Sequence, residues 1–269
     1  MPNYVRAGMP GRAGMPAYRL NCSTHCVDDM GIWERWVHSA VEKAELMKVG
    51  QSWNRTETRK HWICPSLGVP CWHLGKAHRL VIAKTLKLMD YRGASAEVGV
   101  WLGAHSRVLL DNWRSGGTHL LVDPWKHDPC PQVRGAKDKQ CQHSQDEFDK
   151  IATQTVKTLS GAFPSRVKVL RNYSVAAATM VPHASLDFVY LDARHDFEGI
   201  AEDMQAWWPK VCPGGIMAGH DLKHQGVEKA VSQFPSHHSG QVAATFFTAE
   251  GMTPSWIFFR RPSLCKRRS

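Results

Sequence analysis

The chain has 269 residues, 43% hydrophobic and 22% charged, the composition of a globular protein rather than a disordered or fibrous one. No apolar run approaches the roughly 18 residues needed to span a bilayer, so no membrane span is expected. The formal net charge of +10 raises a nucleic-acid partner, but Lys and Arg are spread along the chain, clustering only in the tail RRPSLCKRRS. That pattern reads as a solvated surface.

The N-terminal stretch, rich in Gly, Pro and Met, has no apolar core of signal-peptide type, which points to the cytoplasm. Cysteines fall in close pairs, Cys22 with Cys26, Cys64 with Cys71 and Cys130 with Cys141. Local disulfides in an oxidising lumen, free thiols, or structural zinc with His25 and His73 all fit these pairs. Residues 1–75 read as an N-terminal extension, partly irregular, acting as a lid or cap. Within it, Ile32, Trp33, Trp36, Val37, Ala40, Val41, Ala44 and Met47 fall at helical spacing over 31–49, which reads as a packing helix or lid.

From residue 76 the pattern becomes regular. Helices are predicted over 77–91, 106–113, 145–159, 174–180, 197–208 and 226–234. Strands are predicted over 95–100, 118–122, 166–170, 186–191 and 215–219, with a polar insertion over 126–143. Two β-rich runs, 242–247 and 255–259, read as a terminal hairpin. Alternating strands and helices imply a mostly parallel sheet covered on both faces. The fold class is therefore α/β of Rossmann type, with a domain over 76–261 and a basic tail over 262–269.

Four strand ends carry the chemistry. In Glu97-Val98-Gly99-Val100-Trp101-Leu102-Gly103 a buried strand ends in a glycine turn that opens a helix. Such a turn lets a ligand approach the backbone, and the helix start offers free N–H groups. Asp123, at the tip of the next strand, suits the two hydroxyls of a ribose, although a strand-end Asp is as often a turn residue. Asp192 and His195 follow the apolar strand 186–191, and His220 and Asp221 follow 215–219. Neighbouring strands lie roughly 5 Å apart, which would put both carboxylates in one crevice. Two like charges so close need a cation, a shared proton or a donor between them. Carboxylates suit Mg²⁺, and histidine participation shifts the choice toward Mn²⁺, Fe²⁺ or Zn²⁺. The plainer alternative is that Asp192 binds substrate or cofactor while His195 and Asp221 only cap helices.

The segments EVGVWLG, LLVDPW and LDFVYLDARHDFEGIAEDMQAWWPKVCPGGIMAGHD, in this order over residues 77–259, resemble class I S-adenosylmethionine-dependent methyltransferases. The likeness is to the methyltransferase domain 24 group, which includes macrolide-sugar and aminocoumarin-sugar O-methyltransferases. The resemblance implies S-adenosyl-L-methionine as cofactor and a small-molecule or carbohydrate hydroxyl as acceptor. It places Glu97, Gly99 and Gly103 around the methionine part, Asp123 at the ribose and Ser174 on the adenine side. It makes Asp192 and Asp221 ligands of Mg²⁺ or Mn²⁺, with His220 standing where some members carry the first of two consecutive acids. His195 is then the expected general base, assisted by Asp192.

Other readings remain in view. A nicotinamide-dependent oxidoreductase shares the fold, but the third glycine of G-x-G-x-x-G is missing. A nucleic-acid methyltransferase would fit the charge, yet Asp192-Ala193-Arg194-His195 stands where amino-methylating enzymes carry Asn-Pro-Pro-aromatic. A binding protein with a decayed site would not need to retain Asp123, Asp192, His195 and Asp221. Trp33, Trp36, Trp53 and Trp101 suit either an acceptor pocket or a core.

Overall fold

The computed structural model describes residues 22, 27, 29–46, 71–73, 79–128, 140–248 and 253–264. Trp53, Trp62, Cys26, Cys64, Cys130 and most of the 126–143 insertion lie outside them. The elements run α1 (Met30–Leu46), β1 (Cys71–His73), α2 (Leu80–Leu88), β2 (Ala94–Val98), α3 (Ala104–Asn112), β3 (His119–Val122), α4 (Gln145–Ala162) and β4 (Val167–Leu170). They continue with α5 (Ser174–Thr179), β5 (Leu186–Leu191), α6 (Phe197–Trp207), β6 (Val211–Gly219), α7 (Gln225–His237), β7 (Val242–Phe247) and β8 (Trp256–Arg260).

The strands form one sheet in the order β1-β7-β8-β6-β5-β2-β3-β4. Every neighbouring pair is parallel except those of β8, which runs antiparallel to both β6 and β7. The Rossmann-like sheet with an antiparallel terminal hairpin is thus as the sequence predicts. The unforeseen strand is β1, which precedes residue 76 and yet extends the sheet beside β7.

Central strands of a sheet covered on both faces read as unbroken apolar runs, and β5 is buried along its whole length. Its side chains alternate between two cores. Phe188 and Tyr190 pack with Trp33, Val37, Val81 and Leu86 of α1 and α2. Val189 and Leu191 pack with Ile200, Met204, Val227 and Val231 of α6 and α7. A third cluster joins α4, through Phe148, Ala152, Val156 and Leu159, to Leu121 and Trp125. So α1, read from the sequence as a packing helix or lid, packs into a main core, and truncating Phe188 to Ala would cost about 3–5 kcal/mol.

Local chemistry sets the helix starts. Ser144 and Glu147 form a reciprocal capping box at α4, and the Asp196 carboxylate accepts from the Gly199 N–H at α6. The expected pairing of Cys22 with Cys26 is corrected. Cys22 is bonded to Cys212 at the start of β6, with Cα atoms 5.9 Å apart, and Cys141 is also disulfide-bonded. Val27 adds a parallel bridge to Leu264, so the chain ahead of α1 is pinned at two points. No helix among the described residues is long and apolar enough to cross a membrane.

Candidate active site

Four strand tips meet along one edge of the sheet. The ladder continues past the strands through Gly99 N–H to Val122 O (2.9 Å), Asp192 N–H to Val98 O (2.8 Å) and His220 N–H to Leu191 O (3.3 Å). Asp123, Gly99, Asp192 and His220 therefore stand side by side in the order β3, β2, β5, β6. Gly99 has φ of 84°, and a Cβ there would come within 2.1 Å of the Asp192 carbonyl oxygen. Only glycine allows the two tips to approach so closely.

The glycine turn closes at Gly103, with φ of 73°, which begins α3 without any side-chain cap. The first-turn N–H groups are left for a ligand, as such helix starts allow. Asp123 holds this turn in place. One of its oxygens accepts from the Trp101 N–H (2.9 Å) and the other from the Trp125 N–H (2.7 Å). Burial pushes its carboxyl up, and these backbone bonds pull it back. Both Trp101 and Trp125 have positive φ, as does Asp221 (55°). Non-glycine residues rarely adopt this region, and such outliers concentrate at functional sites.

Glu97 is placed differently from its neighbours. It is buried, and its carboxylate accepts from Ser106 Oγ (2.5 Å) and lies 3.2 Å from His105 Nδ1. Ser106 Oγ is 3.0 Å from His119 Nε2, and Ser95 Oγ is 2.8 Å from His119 Nδ1. Burial, reinforced by the nearby His105 and Arg166, lowers the His119 pKa to about 3. One proton arrangement satisfies every partner: Ser95 donates to a neutral His119, which donates to Ser106, which donates to Glu97. The chain braces the glycine turn from beneath, and the His105 ring stacks on Tyr190 at 3.8 Å. Ser174 also faces inward, accepting from Trp207 Nε1 at 2.9 Å. The structure thus gives Glu97 and Ser174 protein partners.

At the other end of the row the acidic tips gather. His195 Nε2 lies 2.9 Å from Asp221 Oδ2 and 3.8 Å from Asp192 Oδ1. His220 Nδ1 lies 3.4 Å from Asp221 Oδ2 and 3.9 Å from Asp192 Oδ1. The compact set of donor atoms, all within 4.8 Å of one another, is Asp192, His195 and Asp221. The metal set expected from the sequence is Asp192, His220 and Asp221; His195 stands closer to the two carboxylates than His220 does. Neither His195 nor Asp221 serves as a cap: Asp196 caps α6, and α7 has no side-chain cap.

The same contacts change the expected role of His195. The carboxylates of Asp192 and Asp221 beside it raise its pKa to about 10. Without a cation, an imidazole so paired carries its proton at neutral pH, which opposes the general-base role expected for it. The sequence does not single out His224, yet it joins the group. Its ring stacks on His195 at 5.1 Å, and its Nε2 lies 3.9 Å from Asp221 Oδ1. Its spacing three residues after Asp221 is the available signal, as the Asp-Pro-Trp turn is for the Trp125 amide. A groove between α3 and α4, lined by Leu102, Gly103, Ala104, Arg107, Lys150 and Thr158, reaches the glycine turn but includes none of the site carboxylates.

Residues 96–222 match the model of a methyltransferase domain family. No curated protein matches the sequence. Among solved structures, a structural-genomics target from Corynebacterium glutamicum is 15% identical, with 89% of this chain and 99% of that chain covered, at a TM-score of 0.47. A Staphylococcus aureus protein assigned as a caffeoyl-CoA O-methyltransferase is 12% identical over 83% and 91% of the two chains, at 0.46. An O-methyltransferase family protein from Burkholderia thailandensis is 14% identical over 63% and 51%, at 0.42.

Proposed function

We propose, from the premise that residues 96–222 form a class I S-adenosylmethionine-dependent methyltransferase domain, that this enzyme methylates a hydroxyl of a small molecule such as a sugar. A divalent cation held by Asp192 and Asp221 assists. The observation that carries this reading is the gathering of Asp192, His195 and Asp221 donor atoms within 4.8 Å, next to the Gly99 turn. Two carboxylates on adjacent tips, each near an imidazole, are the donor chemistry a divalent ion needs. The catalytic domain in this reading takes in 76–261 together with β1, with 1–75 an N-terminal extension and 262–269 a basic tail.

Bound S-adenosylmethionine supplies an electrophilic methyl group on a sulfonium, and a bound divalent cation lowers the pKa of a coordinated hydroxyl. The residues of the chain do the positioning. The backbone from Gly99 to Gly103 and the open start of α3 receive the amino-acid end. Asp123, already holding two N–H groups, keeps a further lone pair on each oxygen for the ribose hydroxyls. Asp192 is more exposed than Asp221, 21% against 12% for the side chain, and takes the proton of the acceptor hydroxyl. His195 and His220 fix the orientation of both carboxylates. Methyl transfer is an in-line displacement, so holding the hydroxyl at this tip opposite the sulfonium is most of the catalysis.

Methyl-labelled S-adenosylmethionine, incubated with the enzyme and a panel of sugars bearing vicinal hydroxyls, tests the reading. Label should appear on a hydroxyl oxygen and vanish on chelation, while binding of S-adenosylhomocysteine persists. Label entering only RNA would refute the small-molecule acceptor.

A further inference from the structure

We propose that the cation site is a mixed imidazole–carboxylate site suited to a first-row transition ion, with His195 and His220 as nitrogen ligands beside Asp192 and Asp221. It is not an all-oxygen magnesium site. The inference rests on the methyltransferase reading for the site's purpose, but its donor set stands on geometry alone.

Ligand atoms about 2.1 Å from one ion lie roughly 3.0–3.4 Å apart when adjacent. Here His195 Nε2 is 2.9 Å from Asp221 Oδ2 and 3.8 Å from Asp192 Oδ1, and His220 Nδ1 is 3.4 Å and 3.9 Å from the same two oxygens. Shifts of under about 1 Å bring each of these four nitrogen–oxygen separations to ligand spacing, and His220, which lies outside the set gathered within 4.8 Å, joins the same centre by a larger turn of its ring. His220 is nine-tenths buried and aims one nitrogen at both carboxylates. Its Nε2 is buried without a partner among the described residues, so its Nδ1 contacts are the only polar use of the ring there. His224 stacks on His195 and holds that ring in place. Asp221 brings its carboxylate to this point from a left-handed backbone conformation, φ 55°, which the fold must enforce.

Magnesium favours oxygen ligands and retained waters, whereas imidazole nitrogen favours manganese through zinc. Any mixed site binds zinc above magnesium, so the decisive quantity is what removing one nitrogen does. The full-length protein, freed of metal by chelation, would be titrated with Zn²⁺, Co²⁺ and Mg²⁺ by calorimetry. The visible absorption of the Co²⁺ form and the affinity for S-adenosylhomocysteine would be recorded on the same samples.

His195→Asp should lower Zn²⁺ and Co²⁺ affinity by at least about tenfold, leave Mg²⁺ affinity equal or higher, and move the Co²⁺ bands. His220→Gln should weaken Zn²⁺ and Co²⁺ likewise, giving an independent reading if one variant misfolds. Unchanged Zn²⁺ and Co²⁺ affinity in both variants, or Co²⁺ bands of an all-oxygen set, would overturn the proposal. Absence of binding by all three ions would also overturn it. If S-adenosylhomocysteine still binds then, the methyltransferase reading survives without its cation.

Discussion

His195 Nε2 stands 2.9 Å from Asp221 Oδ2, joining the ends of β5 and β6 across the candidate site. Burial pushes the Asp221 carboxyl up, but hydrogen bonds from His195 and His220 outweigh it and hold the group well below the usual carboxylate range. The carboxylates of Asp192 and Asp221 raise His195 to about 10. Both shifts describe one ion pair seen from its two ends.

That pair predicts how the metal-free protein responds to pH. The His195 pKa is raised from 6.5 to about 10, so its contribution is full below 6.5 and fades as pH rises to 10. The Asp221 pKa is lowered from 3.8, so its contribution is present above 3.8 and fades as pH falls. The difference in Tm between wild type and His195→Gln should be widest between about pH 4 and 6.5 and close above pH 10. A gap that widens as pH rises above 6.5 would refute the pairing.

The Cys22–Cys212 bond closes a sequence separation of 190 residues, and chain entropy assigns a loop of that size about 5 kcal/mol at most. Cys212 sits at the start of β6, roughly 25 Å along the strand from the site at its other end. Reduction, or Cys22→Ser, should lower Tm while leaving S-adenosylhomocysteine affinity unchanged. Calorimetry with and without reductant measures both.

Gly99→Ala meets two obstacles, a φ of 84° and a Cβ only 2.1 Å from the Asp192 carbonyl. The blocking atom is backbone, so it cannot rotate away. A destabilisation of about 2–4 kcal/mol is expected, with loss of cofactor binding, as read by denaturant unfolding and ligand titration.

Asp123→Asn keeps one acceptor for the amides of Trp101 and Trp125 and presents an N–H₂ group to the other. Unfolding free energy should fall by about 1–3 kcal/mol, and affinity for S-adenosylhomocysteine should fall as well. Weakened binding with unchanged stability would mean that Asp123 serves the ligand alone.

Much of this was legible in the sequence because its signals are local. β5 is read correctly end to end, since a strand buried on both faces is an apolar run with polar ends. β6 is read four residues short, because Pro213-Gly214-Gly215 looks like a turn. The strand absorbs it through a register shift against β5 between Leu186 and Phe188. β1 is three residues long amid Pro and Cys and gains its identity only from β7. The Cys22–Cys212 bond has no signal in spacing, since the fold alone brings the two together. Within the site, spacing found the tips but not their contacts. Glu97 as a buried anchor and His195 as a charged partner both depend on which neighbour each side chain meets.

A crystal structure of the enzyme with S-adenosylhomocysteine tests the central claim most directly. The amino-acid end should lie across Gly99 to Gly103, the ribose hydroxyls at Asp123, and the sulfur should face the Asp192 tip. Ligand density confined to the Arg107 and Lys150 end of the α3–α4 groove, or none beside Gly99 and Asp192, would contradict the account.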